Sequence, residues 1–220
     1  MNKITLRQTL IPLITMAIIC FMYFGPINRT PFENIIISIV IIIANYIEYK
    51  GKPFSALGFE RSKFNAKNLL ILAPLVSIGI FALYIIAIVP GIEMLTGVPI
   101  DYSSMSELEG NLQVTIVWLL LVWATAGFGE EIIFRGFFMR QFVKFFGESK
   151  ISIVFNIVLV TGVFGFMHSQ QGITGQLVTW VIGALIALIF YLRKYDLWFV
   201  IAVHGFFNTI ALICVYVGLA

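Results

Sequence analysis

Long apolar runs, each closed by glycine, proline or a pair of charges, divide the chain into seven segments near residues 9–25, 32–49, 69–90, 112–146, 150–168, 173–192 and 197–219. A run of about 20 apolar residues coils into a helix long enough to cross the ~30 Å hydrocarbon layer of a bilayer, where only helices and closed barrels satisfy their own backbone. The pattern therefore predicts an all-α, polytopic transmembrane helix bundle of seven spans. The fourth segment is too long for one perpendicular crossing, since about 35 residues at 1.5 Å each make about 52 Å of helix. It must tilt, kink or break. Gly127-Phe128-Gly129 is the expected place, and a break there would give eight crossings.

Composition agrees with the pattern. Of 220 residues 60% are hydrophobic and 11% charged, with 21 Phe, against roughly 25% charged in a soluble domain. Mean hydropathy is +1.00. A water-soluble enzyme, a nucleic-acid-binding domain and a disordered linker are excluded as classes. The two cysteines, Cys20 and Cys214, lie in apolar runs near opposite ends of the chain and build neither a disulfide framework nor a thiolate cluster. Lys3 and Arg7 before the run Leu10 to Phe24 resemble a signal peptide, but no small-residue cleavage site follows and Gly25-Pro26 closes the run as it would a retained helix.

Charge placement carries the orientation. Lys3, Arg7, Lys50, Lys52, Arg61, Lys63, Lys67, Arg140, Lys144, Lys150, Arg193 and Lys194 all fall on one side if the N-terminus is cytoplasmic. Arg29 falls on the other side, and the loop from Gly91 to Gly110 carries Glu93, Asp101, Glu107 and Glu109 without a Lys or Arg. Phe54, Leu57, Phe59 and Phe64, interleaved with Glu60, Arg61 and Lys63, suit either a short helix in the cytoplasmic interface or an ordinary basic loop. Residues 1–220 read as a single membrane domain, with 1–111 as accessory spans and 112–220 as the part that carries the chemistry.

Ionisable groups at membrane depth are costly unless paired or watered, so each is a candidate for function. Glu130, Glu131 and Arg135 lie in the fourth segment, His168 ends the fifth, and His204 and Asn208 lie in the seventh. Glu131 and Arg135 are spaced i, i+4 with the acid first, the favourable order for an ion pair within a helix. Glu130 points about 100° away and is left to face a cavity, where a carboxylate can take a proton from water. His204 and Asn208 share a helix face and can offer two donors to a developing oxyanion; His168 can orient a water together with Glu130. Each group also has a plain structural reading: a clamp within a helix, an interfacial histidine, a hydrogen bond between helices. All three together, using both histidines of the chain, favour function. Gly183-x-x-x-Ala187 offers a small-residue face on which the sixth helix can approach a neighbour.

Three motifs in order, Glu130-Glu131-x-x-x-Arg135, Phe164-x-x-x-His168 and His204-x-x-x-Asn208, resemble the signatures of the CAAX prenyl protease and bacteriocin-processing (CPBP, Abi) family of intramembrane endopeptidases, which includes the type II CAAX prenyl proteases. Phe134-Arg135-Gly136 and Leu197-Trp198 extend the likeness, which covers the chain from near Leu112 to its end. The resemblance implies that Glu130 activates water with His168, that His204 and Asn208 stabilise the tetrahedral oxyanion, that Glu131 and Arg135 hold the site in shape, and that Phe164 packs beneath it. It also implies a peptide or protein substrate near the membrane surface, a prenylated one included, with membrane lipid as the other partner and no nucleic acid. The expected activity is hydrolysis of a peptide bond in CAAX-type processing, peptide maturation or bacteriocin self-immunity.

Rival intramembrane chemistries find less support. The two aspartates, Asp101 and Asp196, are in loops, and neither H-E-x-x-H nor G-x-S-x-G occurs. Metal dependence stays open at this level, and the family has been described both with and without it. Glu130, His168 and His204 have the ligand types of an open zinc site, yet Asn208 suits an oxyanion better than zinc, and the sequence shows no acid supporting either histidine. Chemistry with no cofactor is the expectation. A non-enzymatic membrane scaffold or small transporter is the competing function, although no paired repeat of broken helices is detectable.

Overall fold

The computed structural model describes residues 4–26 and 30–219; Lys3 and Arg29, which entered the orientation argument, lie outside them. Among the described residues helices and turns account for the whole architecture, without a strand. Seven main helices follow the seven apolar runs: α1 (Leu6–Phe24), α2 (Glu33–Glu48), then, after the short α3 (Pro53–Leu57), α4 (Asn68–Thr96), α5 (Leu112–Phe146), α6 (Lys150–Phe166), α7 (Gly172–Leu192) and α8 (Leu197–Tyr216). Five stretches, Leu6–Phe24, Asn68–Thr96, Leu112–Phe146, Ser169–Leu192 and Leu197–Tyr216, are long and apolar enough to cross a membrane. At 16 and 17 residues, α2 and α6 are shorter.

The fourth run does not break. α5 is one continuous helix of 35 residues, and between Trp123 and Met139 its turns widen to the i→i+5 hydrogen bonding of a π-helix. A wider turn holds more residues and advances less per residue. The glycines expected to break the helix instead permit close approach on two sides. A Cβ on Gly129 would lie 2.8 Å from the Asn34 side chain on α2, and one on Gly127 would sit 3.6 Å from the Gly205 backbone on α8. The break at Gly127 to Gly129 that would have split this run is absent.

α4 runs six residues past its expected end at residue 90, through Pro90 to Thr96. A proline inside a helix removes one N–H and crowds the carbonyl a turn earlier. Both prolines of α4 follow a π-turn, Asn68–Leu72 before Pro74 and Tyr84–Ile88 before Pro90, and in each case the widened turn accommodates the missing bond.

The ends of the bundle differ in charge. Lys144 Nζ bonds Glu48 Oε1 and the Gln8 carbonyl, both at 2.7 Å, joining the ends of α1, α2 and α5. Lys63 Nζ bonds the Lys194 carbonyl at 2.6 Å, and Arg140 reaches the Ala56 carbonyl at 3.2 Å. All the described Lys and Arg except Arg135 gather at this end. The segment after α2 is not a helix lying apart in the interface. α3 docks Leu57, 1% exposed, against Leu197 and Gly136, and Phe59 and Phe64 pack edge-on to Trp198. At the opposite end the 97–111 loop ties α7 to α8: Asp101 N–H donates to the Gln171 carbonyl, Thr174 Oγ1 to the Val98 carbonyl, and Gly110 N–H to the Tyr216 carbonyl.

Candidate active site

Straight crossings would put Glu130 and His204 near one face and His168 near the other. The structure brings them together because the helix ends are not level. α8 begins beside Gly136, where a Cβ would meet Leu197 Cδ2 at 3.2 Å, rather than beside the end of α5 at Phe146. From there α8 runs antiparallel to α5, so that Gly205 faces Gly127 and Thr209 accepts from Trp123 Nε1 at 3.0 Å. His204 thus arrives at the level of Glu130 and Glu131. Glu130, His168, His204 and Asn208 line one cavity of about 520 Å³.

Glu131 and Arg135 form the expected ion pair, 3.0 Å from Nη1 to Oε1, with both side chains fully buried. Arg135 Nη2 also donates to the Gly183 carbonyl at 2.8 Å, and its guanidinium lies 5.0 Å from the Phe164 ring centre. Gly183 touches Phe164 and Thr161 of α6, so the small-residue face on α7 does admit a neighbour. Phe164, 4% exposed, is the hub of the packing. Its ring stands edge-on to His168 at 4.7 Å, to His204 at 6.3 Å and to Phe134 at 5.0 Å.

Glu131 has a second partner that the sequence did not reveal. Its Oε1 lies 2.8 Å from His204 Nδ1, a carboxylate support that linear spacing 73 residues apart cannot signal. An acceptor at Nδ1 places the ring proton there and makes Nε2 the nitrogen available to the cavity. His204 Nε2 is 3.9 Å from Glu130 Oε2. His168 has the same arrangement by other means. Its Nδ1 sits 2.8 Å from the Phe164 carbonyl, one turn back along its own chain, which leaves Nε2 able to accept a hydrogen bond.

Glu130 is also less solitary than its spacing suggests. Asn34 Nδ2 points to Glu130 Oε1 at 3.4 Å, and Tyr23 OH donates to Asn34 Oδ1 at 2.8 Å. Tyr23, Glu33 and Asn34, together with Glu130 and His168, line a second and more polar cavity of about 280 Å³. Glu130 therefore stands between a large apolar cavity and a small polar one. The α1 and α2 residues were missed because an Asn and a Tyr at the ends of Ile- and Phe-rich runs are ordinary interfacial residues in sequence.

Among the described residues no three His, Cys, Asp or Glu side chains are grouped as a metal ion would require. Glu130, His168 and His204 line the same cavity without forming such a set. At the cavity rim Tyr102 bonds the Tyr84 hydroxyl, and burial holds its phenol above the ordinary tyrosine range.

Residues 112–210, slightly under half of the chain, match the Rce1-like family of type II CAAX prenyl endopeptidases. Comparison with curated proteins and with solved structures gave no match. The matched segment contains all three motifs. By its description the matched family consists of type II CAAX prenyl endopeptidases, and five helices long and apolar enough to cross a membrane accompany the match.

Proposed function

We propose that this Rce1-like chain is an intramembrane endopeptidase in which Glu130 activates the water. The carrying observation is that Glu130 of α5, His168 of the turn after α6, and His204 and Asn208 of α8 line one cavity, with Glu130 Oε2 3.9 Å from His204 Nε2. A water between Glu130 and the His168 Nε2 gives a proton to Glu130, and its oxygen attacks the scissile carbonyl carbon. The oxyanion accepts hydrogen bonds from Asn208 Nδ2 and His204 Nε2. To donate from Nε2, His204 must hold a proton on both nitrogens, and Glu131 on its far side is the countercharge for that form. Collapse breaks the C–N bond, and Glu130 passes its proton to the leaving amine. Arg135, bound to Glu131 and to the Gly183 carbonyl, fixes the supporting carboxylate.

We assign water activation to the carboxylate rather than to zinc, on the grounds that the three candidate ligands are not grouped as a site and that Asn208 suits an oxyanion. α2 and α6 complete seven crossings in this reading, with the N-terminus cytoplasmic and residues 1–111 as accessory spans that brace α5. The test is cleavage of a quenched fluorescent peptide library, with a prenylated CAAX peptide among its members, by the purified protein in detergent. Glu130→Ala and His204→Ala should each abolish cleavage while the fold persists, and a chelator should leave the rate unchanged. Loss on chelation with rescue by zinc would overturn the metal-free assignment. Absence of any cleavage by the intact protein would favour a scaffold.

A further inference from the structure

We infer that the substrate reaches Glu130 from the extracytoplasmic side, as an apolar peptide segment held in or against the outer leaflet. The inference rests on the protease reading and concerns which face the catalytic cavity serves. The large cavity is blind at one end. Beneath Glu130 the bundle is filled by Ile133, Phe137 and Leu197, all 0–1% exposed, and α3 packs Leu57 across the gap between α5 and α8. No residue of the Lys- and Arg-bearing segments 49–67, 140–150 or 193–196 lines it.

At its other end the cavity is bordered by Ile100, Tyr102 and Met105 of the 97–111 loop, by Gln170 and by Leu219. That loop carries acids and no Lys or Arg, and the 167–171 turn beside it carries neither acids nor Lys or Arg. Arg29, outside the described residues, is the one base that falls at this end in sequence. Lys and Arg accumulate on the cytoplasmic side of membrane proteins. The distribution of basic residues and the identity of the residues that border the cavity are separate observations, and together they point the mouth outward. The walls are largely aromatic and aliphatic, with Phe81, Val122, Val178 and Ile182 among them, so they accept an apolar segment, while Thr125, Thr179, Gln170 and Gln171 add polar groups beside the four site residues. A prenylated C-terminus displayed in the cytoplasm would meet the sealed end.

The test separates the side of access from the chemistry. In a Cys20→Ser, Cys214→Ser background, Ser104→Cys marks the mouth loop and Ser62→Cys the opposite end, both exposed positions. A membrane-impermeant maleimide on intact spheroplasts should label Ser104→Cys and should reach Ser62→Cys only after permeabilisation. The reverse pattern overturns the inference and leaves the protease reading standing. In sealed right-side-out vesicles, an impermeant quenched peptide added outside should be cut, and maleimide on Met105→Cys at the rim should lower that rate at least tenfold. Cleavage confined to inverted vesicles also overturns the inference. Should the labelling come out as expected while the detergent-solubilised protein cuts nothing, the outward mouth is upheld and the protease reading fails.

Discussion

Glu131 shows what a single buried carboxylate can be asked to do. Its Oε1 meets Arg135 at 3.0 Å and His204 at 2.8 Å with no exposure of its own side chain. Replacing it by Gln would leave the Arg135 charge buried without an opposing one, a change that typically costs about 3–5 kcal/mol. Glu131→Gln should therefore lower the unfolding temperature in detergent by many degrees, whereas Glu130→Gln, at a cavity wall, should cost little stability and nearly all the activity; calorimetry and the peptide assay on the same preparations check both. Asn34 contacts Glu130 without facing the large cavity. Asn34→Leu should reduce kcat about tenfold with KM nearly unchanged, as expected when orientation of a reacting group is lost and binding is not. A parallel loss in KM would count against that role. The four residues at the floor of the site were legible because histidine, Glu and Asn are rare at membrane depth. The support from Glu131 to His204 and from Asn34 to Glu130 was not, because contacts 73 and 96 residues apart leave no spacing to detect.

At the scale of elements, the apolar runs fixed where helices lie and missed how they are wound. Nothing in residue periodicity distinguishes an α-turn from a π-turn, and the 17 residues of widened helix in α5 and the two π-turns before the prolines of α4 went unforeseen for that reason. Levels of helix ends were misjudged for a related reason. A loop's length says where the chain turns back, not how deep the next helix begins, and α8 begins beside Gly136. The contact between α5 and α8 makes a sharp pair of predictions. A Cβ at Gly205 would fall 2.5 Å from the Trp123 ring, while one at Gly127 meets nothing closer than 3.6 Å. Gly205→Ala should destabilise the protein by about 1–3 kcal/mol through overpacking, and Gly127→Ala should be nearly neutral. Thermal denaturation of the two variants side by side would decide it, and equal effects would mean that the helices are not in this register.

Across the molecule, the N-terminal helices are built into the site. Ser77 Oγ on α4 donates to the Val203 carbonyl beside His204, Glu48 on α2 takes bonds from Gln141 and Lys144, and Tyr23 and Asn34 adjoin Glu130. Residues 112–220 expressed alone should accordingly fail to give a monodisperse, protease-resistant species in detergent, although they hold all three motifs; co-expression with 1–111 should restore it. Size-exclusion chromatography of both preparations makes the comparison.

The closed floor beneath Glu130 also limits how a chain can be threaded. A corridor lets a polypeptide pass through and be cut anywhere along its length, but a cul-de-sac admits only what can turn round or arrive by its end. A continuous membrane helix is too stiff to double back in a chamber of about 520 Å³, so the segment offered must first be unwound or begin as a free terminus. On the protease reading, both halves of a cut chain would leave by the outward end of that chamber. On that reading, product release from the chamber would weigh on turnover beside the speed of the cut.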